Sequence, residues 1–375
     1  MLKVIDILVN KAITVLSNYR DKREQCTYVA DNKRSYAKLA NKKELTKEQV
    51  SEIQAYYQKL MGKNVPTVWH RYFNARTGVY SKQFVPTSEY KTNIVGRLNV
   101  YPLKRAYTDK NVTDMILPNA KQPKILMKNM NGYYYVNGQA VSKEEAAALC
   151  KDLGDVIIKP SLTARGKGVQ KIHVENGMTD MDGKSLMQVF DSYKSDFLLQ
   201  ELVKQHPEMS ALNPSSINTI RIMTYRKGMD VYVVYTVIRI GRKGQPIDNE
   251  SAGGISTVIH EDGTLGKYAF GAPGVDNVEF TDSGIMLEGY VIPSFSKALD
   301  FVKHQHLQLP FFNLVGWDIA IEEDGEPTMI EFNVTPDLSQ SANGPAFGQY
   351  TEMIIGDAMK KKNTYSRLLQ ELMWK

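Results

Sequence analysis

The sequence predicts an α+β protein built on antiparallel sheets, and three observations carry that expectation. Helical patterning dominates residues 1–95, a mixture of short strands, glycines and short helices follows from Asn99, and two β-hairpins are written into the second half. A doubly wound parallel sheet would instead alternate strand and helix regularly. With 375 residues, 42% apolar and 23% charged, the chain has length for about two or three domains and a composition that excludes disorder. Its 47 basic and 41 acidic residues leave +6, spread along the chain. That is too diffuse for the dense basic stripe a nucleic-acid binder needs. Two cysteines, Cys26 and Cys150, exclude a disulfide framework, and no Cys/His cluster supports zinc, so a reducing, cytoplasmic setting is expected.

No apolar run reaches the roughly 18 residues needed to span a bilayer. In the opening segment Asp6 and Lys11 interrupt the apolar stretch and no small-residue cleavage site follows. The reading is an amphipathic helix packing on its own domain, with attachment to a membrane surface as the alternative. Over Leu45–Met61 the pattern is helical: Thr46 and Gln49 have capping-box spacing and Gly62 closes the segment. Strands are expected at Lys124–Met127, Gly132–Val136, Asp155–Lys159, Val169–Val174 and Phe197–Val203, with a helix from Ser142 to Leu153 stopped by Gly154. One hairpin joins Ile217–Tyr225 to Val231–Ile240 around Gly228; another joins Leu314–Glu322 to Thr328–Val334 around Asp324-Gly325. The stretch Tyr350–Trp374 is again helical.

The last hairpin carries the strongest chemical signal. With Asp324-Gly325 as a two-residue turn, Asp318 faces Glu331 across the strands and Asn333 lies on the same side. Val315, Trp317, Ile319, Ile321, Ile330, Phe332 and Val334 form the opposite, core face, while Gly316 and Ala320 leave room beside the carboxylates. Like charges ~5 Å apart repel, and a hard cation with oxygen ligands offsets that repulsion. An ordinary solvent face on an edge hairpin is the bland alternative.

Upstream, a strand ending in Lys159 runs into a loop with Ser161, Thr163, Gly166, Lys167 and Gly168, where glycines admit an anion to the backbone and lysine offers a point charge. The spacing is not that of a Walker loop. Centring the first hairpin on Gly228 places Arg239 opposite Ile217, so Arg221 and Arg239 share a face. Two guanidinium groups there favour a phosphate or carboxylate partner.

In order and spacing these residues resemble the ATP-grasp superfamily of carboxylate–amine ligases. Thr108-Asp-Lys resembles the element bearing the first nucleotide lysine, Lys110, and Lys159 resembles the second. Gly166–Gly168 look like the phosphate-covering loop, and Gln200, Glu201, Leu202 and Val203 like the linker whose backbone meets adenine. Asp318, Glu331 and Asn333 match the set that holds magnesium. Gln200-Glu-Leu-Val-Lys-Gln-His-Pro, Ile217-Asn-Thr-Ile-Arg-Ile, Asp248-Asn249 with Gly253-Gly254, and Thr335-Pro-Asp resemble the sugar-transfer-associated branch.

The resemblance implies an ATP-grasp fold, two α+β subdomains clasping ATP, with a helical N-terminal region over 1–95. The lid subdomain and linker would occupy 96–205, the large subdomain 206–348, and a C-terminal helix 349–375. It implies ATP with two magnesium ions and formation of an amide through an acyl phosphate. Arg221 would act on the phosphoryl group, with Arg239, Asp248, Asn249, Gly253 and Gly254 nearer the acceptor. The implied substrates are an amine and a small-molecule or glycan-precursor carboxylate, in company with glycan-assembly enzymes in polysaccharide or capsule biosynthesis. A phosphotransferase acting on a sugar or small-molecule hydroxyl is the alternative on the same fold, and a non-enzymatic glycan-assembly factor that binds nucleotide is a third.

Overall fold

The computed structural model describes residues 2–163, 166–242, 244, 248, 253–275 and 277–361, with backbone alone for residues 2–10, 13, 14 and 17. The chain opens on a 36-residue helix, α1 (Leu2–Ala37), followed by α2 (Lys47–Met61) and α3 (Val68–Thr77). In α2 the Thr46 hydroxyl accepts from the Gln49 amide and the Gln49 side chain accepts from the Thr46 amide, so both halves of the capping box form. Gly62 ends it at φ 69°, in the left-handed region glycine favours. The second half of α1 packs through Tyr28, Val29 and Tyr36 against Trp69, Tyr72, Phe73 and Phe84. The first half departs from the expected packing on its own domain: Val15, Leu16 and Tyr19 are exposed and join none of the core clusters of the described residues. No helix among the described residues is long and apolar enough to cross a membrane.

Two antiparallel sheets follow. The first takes β1 (Ile125–Met130), β2 (Tyr133–Val136), β3 (Gln139–Val141), β4 (Gly154–Pro160), β5 (Gln170–Glu175), β6 (Met178–Thr179) and β7 (Phe197–Glu201), in spatial order β3-β2-β1-β7-β4-β5-β6. Its helix Lys143–Leu149 is capped by Ser142 as expected but ends before Gly154. The second sheet takes β8 (Thr219–Lys227), β9 (Asp230–Ile240), β10 (Ile255–Val258), β11 (Leu314–Ile321) and β12 (Pro327–Asn333), in order β10-β9-β8-β11-β12. The final helix runs Thr351–Lys360, and the rest of the expected Tyr350–Trp374 segment beyond residue 361 lies outside the described residues.

Every residue of β11 is buried, because β8 and β12 flank it and both sheet faces are covered. One face packs Trp317 and Ile319 with the helix Phe295–His306 and the segment 259–292. The other packs Leu314, Met223, Tyr235 and Val237 under α2, Tyr90, Ile94 and the helix Thr351–Lys360. The helical N-terminal region is therefore a layer of this half of the protein, and the last hairpin is no edge ribbon.

Both hairpin registers differ locally from the expected ones. Glu322 and Glu326 close a three-residue loop at 323–325, where a two-residue turn was expected, and a bulge at Ile330 then restores the pairing of Asp318 with Glu331. Ile330 is only half-buried as a result, and Met329 takes the core place expected for it. In the other hairpin the turn is Gly228-Met229 and a bulge adds one residue, so Arg239 faces Thr219 rather than Ile217. The shift is by two residues, which preserves the face, and Arg221 and Arg239 stay together.

Gly316 gives room to Pro336. A Cβ at Gly316 would lie 2.6 Å from the Pro336 Cβ, closer than real carbons come. Gly316→Ala is expected to retain the fold and lose about 1–3 kcal/mol by overpacking, measured by chemical denaturation.

Candidate active site

The centre of the site is a charge ladder across the second sheet. Arg221 on β8 sits directly opposite Asp318 on β11, which in turn faces Glu331 on β12. Arg221 Nε donates to Asp318 Oδ1 at 2.5 Å and Nη2 to Oδ2 at 2.8 Å, both side chains being buried. Arg239 Nη1 donates to the two oxygens at 3.3 and 3.4 Å. Burial pushes the Asp318 carboxyl up, but the two guanidinium groups outweigh it and hold the group below the usual carboxylate range. A carboxylate offers about four lone-pair positions, and these four contacts engage them.

Glu331 is reached from the other lobe. Lys110, in the segment after the short helix Lys104–Tyr107, places Nζ 3.3 Å from Glu331 Oε2 and donates to the Thr163 carbonyl at 2.9 Å. Its amide donates to the Ser161 carbonyl. Lys159, near the end of β4, is only 7% exposed, and among the described residues its ammonium has neither a hydrogen bond nor an ion pair. Burial, with Lys110 adding to it, pulls its pKa down to about 8. Asn333 lies beside Glu331, its Nδ2 at 3.4 Å from Oε1.

A cavity of about 540 Å³ joins these groups. Lys110, Lys159, Gly166, Gln200, Glu201, Leu202, Val203, Arg239, Asp248, Asp318 and Glu331 all line it. Among the described residues the backbone groups of Leu202 and Val203 have no protein partner, so this stretch of linker can pair with a planar heterocycle. At the far end, burial raises the pKa of Asp248 to about 6 although the Thr219 amide and hydroxyl both donate to it. Asn333 lines a smaller adjoining cavity of about 160 Å³ that shares Lys110, Lys159 and Glu331.

Several expected residues stand elsewhere. Arg221 lines neither cavity; it lies behind Asp318 and is committed to it. Ser161 is fully buried and its hydroxyl meets neither cavity nor partner, so its contribution is the carbonyl that holds Lys110. Lys167 and Gly168 are exposed, and Gly168, at φ 77°, leaves no space for a Cβ beside Pro160. Gly253 is exposed and Gly254 buried, neither on a cavity wall; Asn249 lies outside the described residues. Sequence reasoning missed Lys104, which lines the small cavity and donates to the Thr335 hydroxyl. Its only sequence signal is a place six residues before Lys110.

As oxygen donors for magnesium, Glu331 and Asn333 fit. Asp318 does not join them in this arrangement, because the arginines occupy its oxygens. The unpaired Lys159 ammonium fits a polyphosphate.

Comparison with known proteins adds the following. The sequence profile described as sugar-transfer associated ATP-grasp matches residues 89–354. A D-alanine–D-alanine ligase from Bacillus anthracis has 13% identity over 71% of this chain and 69% of its own, with TM-score 0.40. A biotin carboxylase from Campylobacter jejuni has 12% identity over 68% and 46%, with TM-score 0.39. In curated sequences, the regulatory protein RecX of two Streptococcus pneumoniae strains is 23% identical over 165 residues, 44% of this chain. The chain spans about half (53%) of the length of these curated relatives.

Two substitutions probe the site's electrostatics. Arg221→Ala strands a buried carboxylate and is expected to destabilise the fold by about 3–5 kcal/mol, seen in denaturant titrations. Lys159→Met acts oppositely on the apo protein. A lysine whose folded pKa lies near 8, below its unfolded value, lowers stability at neutral pH by on the order of 3 kcal/mol. That penalty fades as pH rises from about 8 towards the unfolded value. The variant should therefore melt at the same or a higher temperature near pH 7, while its affinity for ATP, measured by calorimetry, falls far more than its affinity for adenosine.

Proposed function

We propose, because the chain belongs to the sugar-transfer associated ATP-grasp family, that it is an ATP- and magnesium-dependent carboxylate–amine ligase. The observation that carries this reading is the buried Lys159 ammonium, unpaired among the described residues, in a cavity that runs from the Leu202-Val203 linker to Arg239 and Asp248. The free linker backbone takes the adenine edge, and Lys159 and Lys110 take the phosphates as point charges. Glu331 and Asn333 would hold magnesium, which when bound neutralises phosphate charge. Gly166, in the loop beside Lys159, lets the backbone approach the phosphates and close over them.

A carboxylate is a poor electrophile because its charge is delocalised and oxide is a poor leaving group. Transfer of the γ-phosphoryl group to a carboxylate oxygen releases ADP and gives an acyl phosphate; the amine then attacks the carbonyl carbon and inorganic phosphate leaves. Arg239, on the cavity wall and bound to Asp318 only at 3.3–3.4 Å, stabilises charge on the transferring group in this reading. Arg221 holds Asp318 and, through it, the orientation of Arg239, and so acts as a positioning residue. Asp248, Thr219 and Ser216 line the acceptor end. The family's association with sugar transfer supports a sugar-precursor carboxylate and an amino acid or other amine, as in the modification of a cell-surface polysaccharide.

The acyl phosphate is the testable species. With ATP, magnesium and a panel of uronic acids, nucleotide-linked uronic acids and amino acids, hydroxylamine is expected to yield a hydroxamate with at least one carboxylate. Arg239→Ala should cut its formation by about 100-fold or more while leaving ATP binding within a few fold. A panel member that drives ADP release but gives only a hydroxylamine-stable phosphate ester would replace the ligase with a phosphotransferase.

A further inference from the structure

We propose that the first half of α1 is a peripheral membrane anchor that lies in the interface of an anionic lipid surface. The two halves of this helix are unlike. From Tyr28 onward it packs on the protein body, whereas the described side chains between Lys11 and Tyr19 are all exposed, Val15 at 66%, Leu16 at 56% and Tyr19 at 70%. Burying such residues is favourable, and the chain's own body does not do it.

The sequence pattern says what kind of surface suits this segment. At 100° per residue, ten apolar residues between Leu2 and Tyr19 fall within one half of the helix circumference, from Val4 round to Ile13. An arc that wide exceeds the two-in-seven seam of a coiled coil. Lys3, Asp6 and Lys11 interrupt the run, and no described helix qualifies as a membrane span. A half-apolar, half-polar helix instead suits an orientation parallel to a bilayer, its apolar side among the upper acyl chains.

Charge selects the lipid. Residues 1–23 carry Lys3, Lys11, Arg20, Lys22 and Arg23 against Asp6 and Asp21. Lys11 and Lys22 are exposed, and the apolar arc stops where Arg20–Arg23 begins. Basic residues beside an embedded helix are attracted by an anionic headgroup layer. Tyr19, at the junction, has the amphipathic ring that favours the headgroup level. This anchor is separate from the catalytic reading, since none of its residues lines the cavity.

The test is co-sedimentation of the full chain with phosphatidylcholine vesicles, with and without phosphatidylglycerol. Binding is expected only to the anionic vesicles and should weaken with added salt. Leu16→Glu with Tyr19→Glu should abolish it, and Lys11→Gln with Lys22→Gln should weaken it on the order of tenfold. Both pairs are exposed, so thermal melts should match the parent chain. Absence of binding to either vesicle, or equal binding by the Leu16→Glu, Tyr19→Glu variant, overturns the proposal. A dimer in sedimentation velocity that this variant dissolves would overturn it too, by giving the apolar face to a second copy of the chain.

Discussion

The second sheet depends on one buried carboxylate. Asp318 sits in the middle of a strand with no exposed residue, where an unpaired charge would cost several kcal/mol. Its cross-strand neighbour on one side is Arg221 and on the other Glu331, so a favourable and an unfavourable contact are fixed by the same register. Arg239, one strand further out, adds a second cation. The Asp318–Glu331 repulsion is thus offset from both ends, by the arginines behind Asp318 and by Lys110 in front of Glu331. Lys110 belongs to the segment that leads into the first sheet, so the same electrostatics ties the two lobes together.

Around that ladder Lys110, Arg221 and Arg239 each have a carboxylate partner. Lys159, on the cavity wall, has none among the described residues. A buried ammonium without a partner is costly in the apo protein, and its depressed pKa expresses that cost. On the ligase reading proposed above, an arriving polyphosphate offsets that cost and a neutral nucleoside does not.

Strand parity was legible in the sequence, and strand register was not. Alternation put Asp318, Glu331 and Asn333 on one face of the last hairpin, and Arg221 and Arg239 on one face of the other, because a side-chain period of two survives any even shift. The two bulges could not be read, since nothing in Ile330 or around Val234 distinguishes an unpaired residue from a paired one. In the last hairpin a longer loop and a bulge cancel, and the pairing of Asp318 with Glu331 comes out as expected for a different reason. Burial was the harder quantity. Ser161 and Arg221 have the right chemistry for a phosphate site, but sequence spacing does not tell a cavity wall from the layer behind it. The cover over β11 was equally hidden, because α2, Tyr90 and Ile94, which supply part of it, lie more than 200 positions away.

That cover also explains why the N-terminal region belongs with the site although residues 1–88 lie outside the family match. Its helices fill the far end of the face that carries the charge ladder, with Ile53, Tyr57 and Tyr90 packed near Met223, Tyr235 and Leu314. At the near end Val85 and Lys91 of this region, with Asn99 and Lys104 just beyond it, grip the chain after Asn333. The Asn99 side chain donates to the carbonyls of Leu314 and Val334, Lys91 donates to the Thr335 carbonyl and pairs with Asp337, and Lys104 donates to the Thr335 hydroxyl. The Val85 amide donates to the Gln340 side chain, which donates back to the Val85 carbonyl. These bonds fix the segment from Val334 to Gln340, and Pro336 within it fills the gap that Gly316 leaves beside Arg221. The helical region and the segment that follows it therefore brace the chain just beyond Asn333, whose amide Nδ2 lies 3.4 Å from Glu331 Oε1, and through Pro336 they close the back of the arginine–aspartate pair.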